Sequence, residues 1–283
     1  MEVPRTGPRA AVAILRPELM ASRTAQKQQA RERRLAEEQT RVERARRERR
    51  LRMLGGVVLL VVAVVAVAIA ISSGGGSAPK VTGSNGKNAA QTVNSLLSGI
   101  PQSGNTLGSP SAKVTVTEFG DLKCPICHDF ALGPESQLIS NDVKSGKVKL
   151  AYRSLCTATC NGPQPGVFAT QQAAAIAAGL QGKEWYYVEL FYHLQGDEST
   201  SYVNSSFLDG LAKLVPGLDY SKWALDAGQS SLKAQVTSDQ NFASSKGYTS
   251  TPVLTFQGPK GQAQPLVGDY PYSDIEAAIK SVS

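Results

Sequence analysis

Hydropathy changes character along the chain, and each change predicts a different kind of element. Residues 21–52 are rich in strong helix formers, with Glu and Arg spaced to allow i,i+4 pairs, as in TAQKQQARERRLAEEQTRVERARRERR. That pattern predicts an exposed, charged helix. Residues 53–71, MLGGVVLLVVAVVAVAIAI, are 19 uncharged residues, close to the ~20 a helix needs to cross a hydrocarbon core. They lack the polar stripe of a buried core helix, so they predict a single transmembrane span. Residues 72–86, SSGGGSAPKVTGSNG, predict a flexible Gly/Ser-rich linker, which we bound at 72–105. A short apolar run at Val93, Leu96, Leu97 and Ile100 is expected to form a helical turn or two docked on the domain that follows.

From residue 106 onward the pattern is that of one folded domain with one core. VTVTEF at 114–119 alternates β-branched residues as a strand does, and 124–142 follows as a helix. A second strand is expected at 147–153. The Pro/Gly-rich loop CTATCNGPQPG leads to helices at 168–180, 184–194, 206–214, 220–227 and 232–245. Paired strands at 252–256 and 264–267, joined through Gly258, Pro259 and Gly261, precede a closing helix at 273–282. No internal repeat is apparent.

Charge alters the picture only when it is divided along the chain. The net +7 splits into +8 over residues 1–52, with 15 Lys/Arg against 7 Asp/Glu, and −1 over the remainder. A near-neutral domain creates no strong field for nucleic acid, so none is expected as a partner. The arginines at 44, 46, 47, 49, 50 and 52 border the apolar span, and the positive-inside rule keeps that side in the cytoplasm. The expected arrangement is a cytoplasmic segment at 1–52, a bilayer-spanning helix at 53–71 and an extracytoplasmic domain at 106–283. A cleaved signal peptide is the competing reading, with an unusually long charged region.

All four cysteines fall in that outer domain, where disulfides persist. Their spacings favour pairing Cys124 with Cys127 and Cys156 with Cys160. Cys124-Pro125-Ile126-Cys127 stands at a strand-to-helix junction, where unpaired N–H groups and the helix dipole stabilise a thiolate. Cys124 is the expected nucleophile and Cys127 the resolving thiol. A structural disulfide and a four-cysteine zinc site are the alternatives, although the apolar helical pattern continues past His128 where a zinc knuckle would turn. For Cys156 and Cys160 a local structural disulfide is expected, with a second redox pair as the sharper alternative. His128 stands close enough in sequence to help stabilise the Cys124 thiolate. His193, with no partner at a telling spacing, reads as structural.

The run LGSPSAKVTVTEFGDLKCPICHDF, from Leu107 to Phe130, resembles the DsbA-like branch of the thioredoxin superfamily. A second match follows more than a hundred residues later at Tyr248-Thr249-Ser250-Thr251-Pro252-Val253, similar to that family's TP segment. The resemblance implies an α/β thioredoxin-like fold with a helical insertion at about 165–247. It also implies a cis Pro252 beside the cysteine pair, and a peptide groove at Thr251 and Pro252 with Pro125 and Ile126 opposite. Glu118, beneath the second cysteine, is implied to move a proton to or from Cys127. The implied activity is protein thiol–disulfide exchange, in the oxidising direction because Pro-Ile fits the Pro-x pattern of the oxidising branch. Its implied partners are thiol-bearing secreted or membrane proteins and a membrane redox partner for recycling. No metal or other cofactor is expected beyond the Cys124–Cys127 disulfide. An extracytoplasmic reductase or isomerase, and a redox-inert peptide-binding scaffold on the same fold, are the readings to discriminate.

Overall fold

The computed structural model describes Pro79 and residues 81–283. The charged N-terminal segment, the expected transmembrane span and most of the glycine-rich stretch lie outside the described residues. Among those described, no helix is long and apolar enough to cross a membrane.

The first described element corrects the linker boundary. Helix α1 (Gly83–Leu97) buries Gly86, Ala89, Val93 and Leu97, a stripe repeating every three to four residues along one face. Gly86 approaches the Val81 carbonyl so closely that a Cβ has no room there. Small polar residues around that stripe resemble a linker in composition, yet the stripe docks on the domain. Two short strands follow, β1 (Gln102–Ser103) and β2 (Thr106–Leu107).

The sheet is built around β3 (Val114–Gly120), flanked by parallel β4 (Val148–Ser154) and antiparallel β5 (Val253–Gly258). With β6 (Gly261–Gln262) the strand order is β1-β2-β4-β3-β5-β6, and β7 (Leu266–Val267) pairs with β5 off that path. Between β3 and β4 runs a helical crossover. It starts as α2 (Pro125–Phe130), widens into a π-helical turn (Ala131–Glu135), resumes as α3 (Ser136–Leu138) and ends in a second π turn (Ile139–Val143). Pro134 lies inside the first π turn, where its missing N–H accompanies a break in the regular helical ladder.

Between β4 and β5 lies the helical insertion. It comprises α4 (Ala158–Asn161), α5 (Phe168–Gly179), α6 (Glu184–His193), α7 (Ser205–Leu214), α8 (Tyr220–Ala227) and α9 (Ser230–Ser245). Helix α6 is buried almost all round, from Glu184 to Tyr192, and so is α5. Such helices belong inside a layer rather than on its surface. Helix α9 is tied back to the sheet by Asp239, which accepts from Arg153 Nε at 2.8 Å and from the Ser154 N–H at 3.1 Å. Helix α10 (Tyr272–Val282) closes the chain, burying Ile275, Ile279 and Val282. The insertion lays α6 against the turn after α2, the region where the first cysteine pair emerges.

Candidate active site

The chain leaves β3 through a turn in which the Cys124 N–H donates to the Asp121 carbonyl at 2.9 Å, and it enters α2 at Cys124. Cys124 is the extended N-cap, with φ −73° and ψ 122°, and Pro125 takes the first helical position. A missing N–H costs nothing there. The Ile126 and Cys127 N–H groups, unpaired by the helix itself, turn toward the Cys124 sulfur. Gln195 holds the same turn from outside, donating to the Leu122 carbonyl at 2.8 Å and the Cys124 carbonyl at 3.1 Å.

On the other side of the sulfur lies the segment preceding β5. The Thr251–Pro252 peptide is cis, and Cys124 Sγ donates to the Thr251 carbonyl at 3.7 Å. Thr251 and Cys124 are more than a hundred residues apart in sequence. They meet because β5 pairs antiparallel with β3, whose end carries the cysteine turn. Thr251 and Pro252 are both buried, whereas Ile126 projects into solvent beside the cysteines. The expected groove residues therefore surround one sulfur, with Ile126 on its open side.

The two sulfurs are electrostatically unlike. A hydrogen bond from the Cys127 thiol lowers the Cys124 pKa to about 6, outweighing the opposing effect of burial, and Thr251 and the two helix N–H groups add to it. Burial pushes the Cys127 thiol well above 9.0, and the adjacent Cys124 thiol and the charges of Cys124 and Glu118 push it further. One member of the pair is poised as thiolate and the other is held as thiol. His128 is not among the leading causes of the Cys124 shift. Its Nδ1 lies 3.0 Å from Asp129 Oδ1, and the shift arises chiefly from the groups already named.

Glu118 is fully buried on β3, in register with Tyr152 on β4 and Leu254 on β5. Burial raises its pKa to about 7. A carboxyl there can exchange a proton near neutral pH.

Cys156 and Cys160 are bonded to each other, their Cα atoms 5.7 Å apart. With those sulfurs joined, the four-thiolate zinc alternative has lost two of its ligands. The disulfide loop is also bound to the active-site turn, through Asp121, a residue of the family-like VTVTEFGD run to which sequence reasoning assigned no role. The buried Asp121 carboxylate accepts from the Thr157 and Thr159 N–H groups, each at 2.9 Å, and from the Lys123 N–H at 3.1 Å. Glu135 and Glu189, both fully buried near Glu118, were overlooked. Glu189 left one signal, since it precedes His193 by four residues and reaches it in space. Asp121 stands in the VTVTEFGD run, but its contacts with Thr157 and Thr159 are long-range, and Glu135, whose neighbours are long-range too, left no signal.

A thiolate at a helix N-terminus, a protected second thiol and a cis-proline beside them, on this sheet order, make the domain thioredoxin-like with a helical insertion. The chain belongs to the thioredoxin family, whose profile matches residues 102–278. Curated relatives include a protein named "Probable disulfide bond formation protein D" from Bacillus anthracis. It is 27% identical over 142 residues, 49% of this chain and 62% of that protein. "Disulfide bond formation protein D" of Bacillus subtilis is 25% identical over 174 residues, 59% of this chain and 74% of that protein. The chain thus spans about 62% of the length of the Bacillus anthracis relative it matches. Among solved structures, oxidised BdbD of Bacillus subtilis superposes with a TM-score of 0.54 at 21% identity, over 65% of this chain and 96% of that one. The alpha-DsbA1 protein of Wolbachia pipientis gives a TM-score of 0.52 at 15% identity, over 66% of this chain and 92% of that one. At these identities the superpositions establish the fold.

Proposed function

We propose that this protein is a thiol–disulfide oxidoreductase that oxidises cysteine pairs in secreted or membrane proteins, working outside the cytoplasm and held there by a transmembrane helix at residues 53–71. The observation that carries the chemistry is the unequal pair, with Cys124 favoured as thiolate at the mouth of the site and Cys127 kept as thiol beneath it. The names of the Bacillus relatives support the same reading.

The cycle balances as two exchanges. A substrate thiolate attacks Cys124 in the Cys124–Cys127 disulfide, forming a substrate–Cys124 bond and releasing Cys127, which takes up a proton. A second substrate thiolate then attacks the substrate sulfur of that mixed disulfide. The substrate disulfide forms, Cys124 leaves as thiolate, and two electrons have passed to the enzyme. A membrane redox partner would remove them. A thiolate stabilised in the reduced protein favours reduction of the enzyme's disulfide, and that makes the enzyme an oxidant.

The deciding experiment joins trapping to a potential. Cys127→Ala should accumulate mixed disulfides and Cys124→Ala should form none. The wild-type pair should have a potential nearer about −120 mV than the roughly −270 mV of a cytosolic reductant. Trapping without an oxidising potential would favour the reductase reading, and no trapping would favour the inert scaffold. Protease added to spheroplasts should digest the C-terminal domain, and its protection would overturn the topology.

A further inference from the structure

Cys127 has no exposed surface, yet every exchange cycle must give it a proton and take one away. The neighbouring side chains mark a route that begins at Glu118, whose charge Cys127 feels. The Glu118 carboxyl lies within hydrogen-bonding reach of Glu135, and Glu135 within reach of Glu189. The three come from β3, the π turn after α2, and α6, and all are fully buried. If all three were ionised, none of their six oxygens would have a donor. Carboxyl groups hydrogen-bond one another only through a proton, so two contacts among three carboxyls require two shared protons. Glu189 Oε2 lies 3.9 Å from His193 Nε2, one turn along α6, and the His193 side chain is 16% exposed. Of these groups His193 is the first to reach solvent. It is also close enough to feel the charge of His128, which directly follows the cysteine pair.

We propose that Glu118, Glu135 and Glu189 form a buried proton relay, with His193 as its outlet, that carries the Cys127 proton to and from solvent. This deepens the exchange function proposed above and rests on it. When the Cys124–Cys127 disulfide opens, Cys127 leaves as a thiolate and takes a proton from Glu118. Glu135 restores Glu118, Glu189 restores Glu135, and His193 passes in a proton from water. When the disulfide re-forms, Cys127 loses its proton along the same path in reverse.

The energetics suit transfer. Burial raises Glu118 to about 7 and Glu189 to about 8, so both exchange protons near neutral pH. Burial, with the Glu118 and Glu189 charges, pushes Glu135 well above the usual carboxylate range, which keeps it as the protonated bridge between them. Burial lowers the His193 pKa, so Glu189 and His193 both favour neutral forms and the 3.9 Å contact is no fixed ion pair. The other titratable groups facing the relay are Cys124, Tyr152 and Tyr192, and burial holds both phenols protonated. Gly120 keeps the near end open, because a Cβ there would come within 2.9 Å of Glu118 Oε1 and 2.7 Å of the Tyr152 ring. Glutamines of the same shape would fill this space without the cost of burying ionisable groups. Three neighbouring carboxyls between the cysteine pair and His193 supply what glutamines lack, an acidic proton.

The test uses the full chain. The reduced protein is mixed with oxidised glutathione, and the lifetime of its mixed disulfide on Cys124 is followed by acid quenching and mass spectrometry. Glu189→Gln and His193→Ala should each prolong that lifetime roughly tenfold or more, since a positioned proton acceptor contributes about a hundredfold or more. Alkylation of Cys124 by iodoacetamide should change less than about twofold, because its thiolate does not depend on the relay. Free imidazole should shorten the His193→Ala lifetime, a rescue that a structural role would not show. Wild-type lifetimes in both variants would overturn the relay and leave the exchange function standing. A second measurement decides if a variant misfolds or if the wild-type chain exchanges nothing. In the infrared spectrum of the wild-type protein near neutral pH, the relay requires protonated-carboxyl absorption from at least two groups beyond Glu184, the two protons shared among Glu118, Glu135 and Glu189, and a smaller band overturns it.

Discussion

The side-chain oxygens of Thr157 and Thr251 lie 2.6 Å apart, so a residue enclosed by the Cys156–Cys160 bond touches the residue whose carbonyl accepts from Cys124. Asp121 binds the same loop to the turn that presents the cysteines. The second disulfide is therefore a brace for both walls of the site.

Removing that brace should cost stability before chemistry. Closing so short a loop is worth about 2 kcal/mol on the chain-entropy account, so Cys156→Ser/Cys160→Ser should lower the melting temperature by several degrees. Activity toward a small dithiol should persist, while Thr157→Val should weaken turnover of extended peptides through a loosened Thr251. Calorimetry and paired assays with the two substrates check this. Activity lost at unchanged stability would point to an electron relay through the second pair.

The Cys124 thiol should titrate near 6 in reduced protein, followed by thiolate absorbance, with Cys127→Ala raising the value because the largest stabilising hydrogen bond is gone. The folded pKa lies below the unfolded value of about 9.0, so the thiolate stabilises the fold fully above that value. This contribution disappears as pH falls through about 6. Reduced protein should accordingly gain melting temperature relative to the oxidised form as pH rises from 6 to 9. An unchanging difference across that range would remove the physical basis for an oxidising pair.

Glu184 offers the opposite sign away from the cysteines. Burial raises its pKa from 4.5 to about 8, so in that window the folded state binds more protons than the unfolded state and stability falls as pH rises. Glu184→Gln removes that loss. Its stability relative to wild type should climb between pH 4.5 and 8 by at most about 1.4 kcal/mol per unit, lessened by the favourable dipole at the start of α6. Denaturant midpoints measured across the range report it.

Helix α1 should be integral to the domain. Leu97 is fully buried against it, so Leu97→Ala should cost about 2–4 kcal/mol in urea unfolding. A loss below about 0.5 kcal/mol would mean that the segment behaves as the linker its composition resembles.

Much of this protein is legible in local pattern. The alternation at 114–119, the helix-forming stretches of α5 and α6 and the Cys-Pro-Ile-Cys spacing each reflect interactions spanning a few residues, and the described structure places strand, helices and N-cap there. Tyr220–Ala227 matches the expected helix residue for residue. The apolar run at residues 93–100 marked the docked end of α1, but glycine and small polar residues hid its start at Gly83, because docking energy came from a partner surface that local composition does not specify. Proximity decided the rest. Strand β5 entering beside β3 sets Thr251 against Cys124, and α6 folding onto the π turn joins Glu189 to Glu135. Asp121 gains its partners only when the loop after β4 returns to the turn after β3. A carboxylate's pKa and a thiol's reactivity depend on what surrounds them within a few ångströms, and those neighbours come from distant parts of the chain. The sequence by itself determined where the cysteine pair, Glu118 and the Thr-Pro segment stand and which elements bear them. The tertiary structure alone brought Asp121, Glu135 and Glu189 to them, because those neighbours come from distant parts of the chain, and so decided how strongly each group is perturbed.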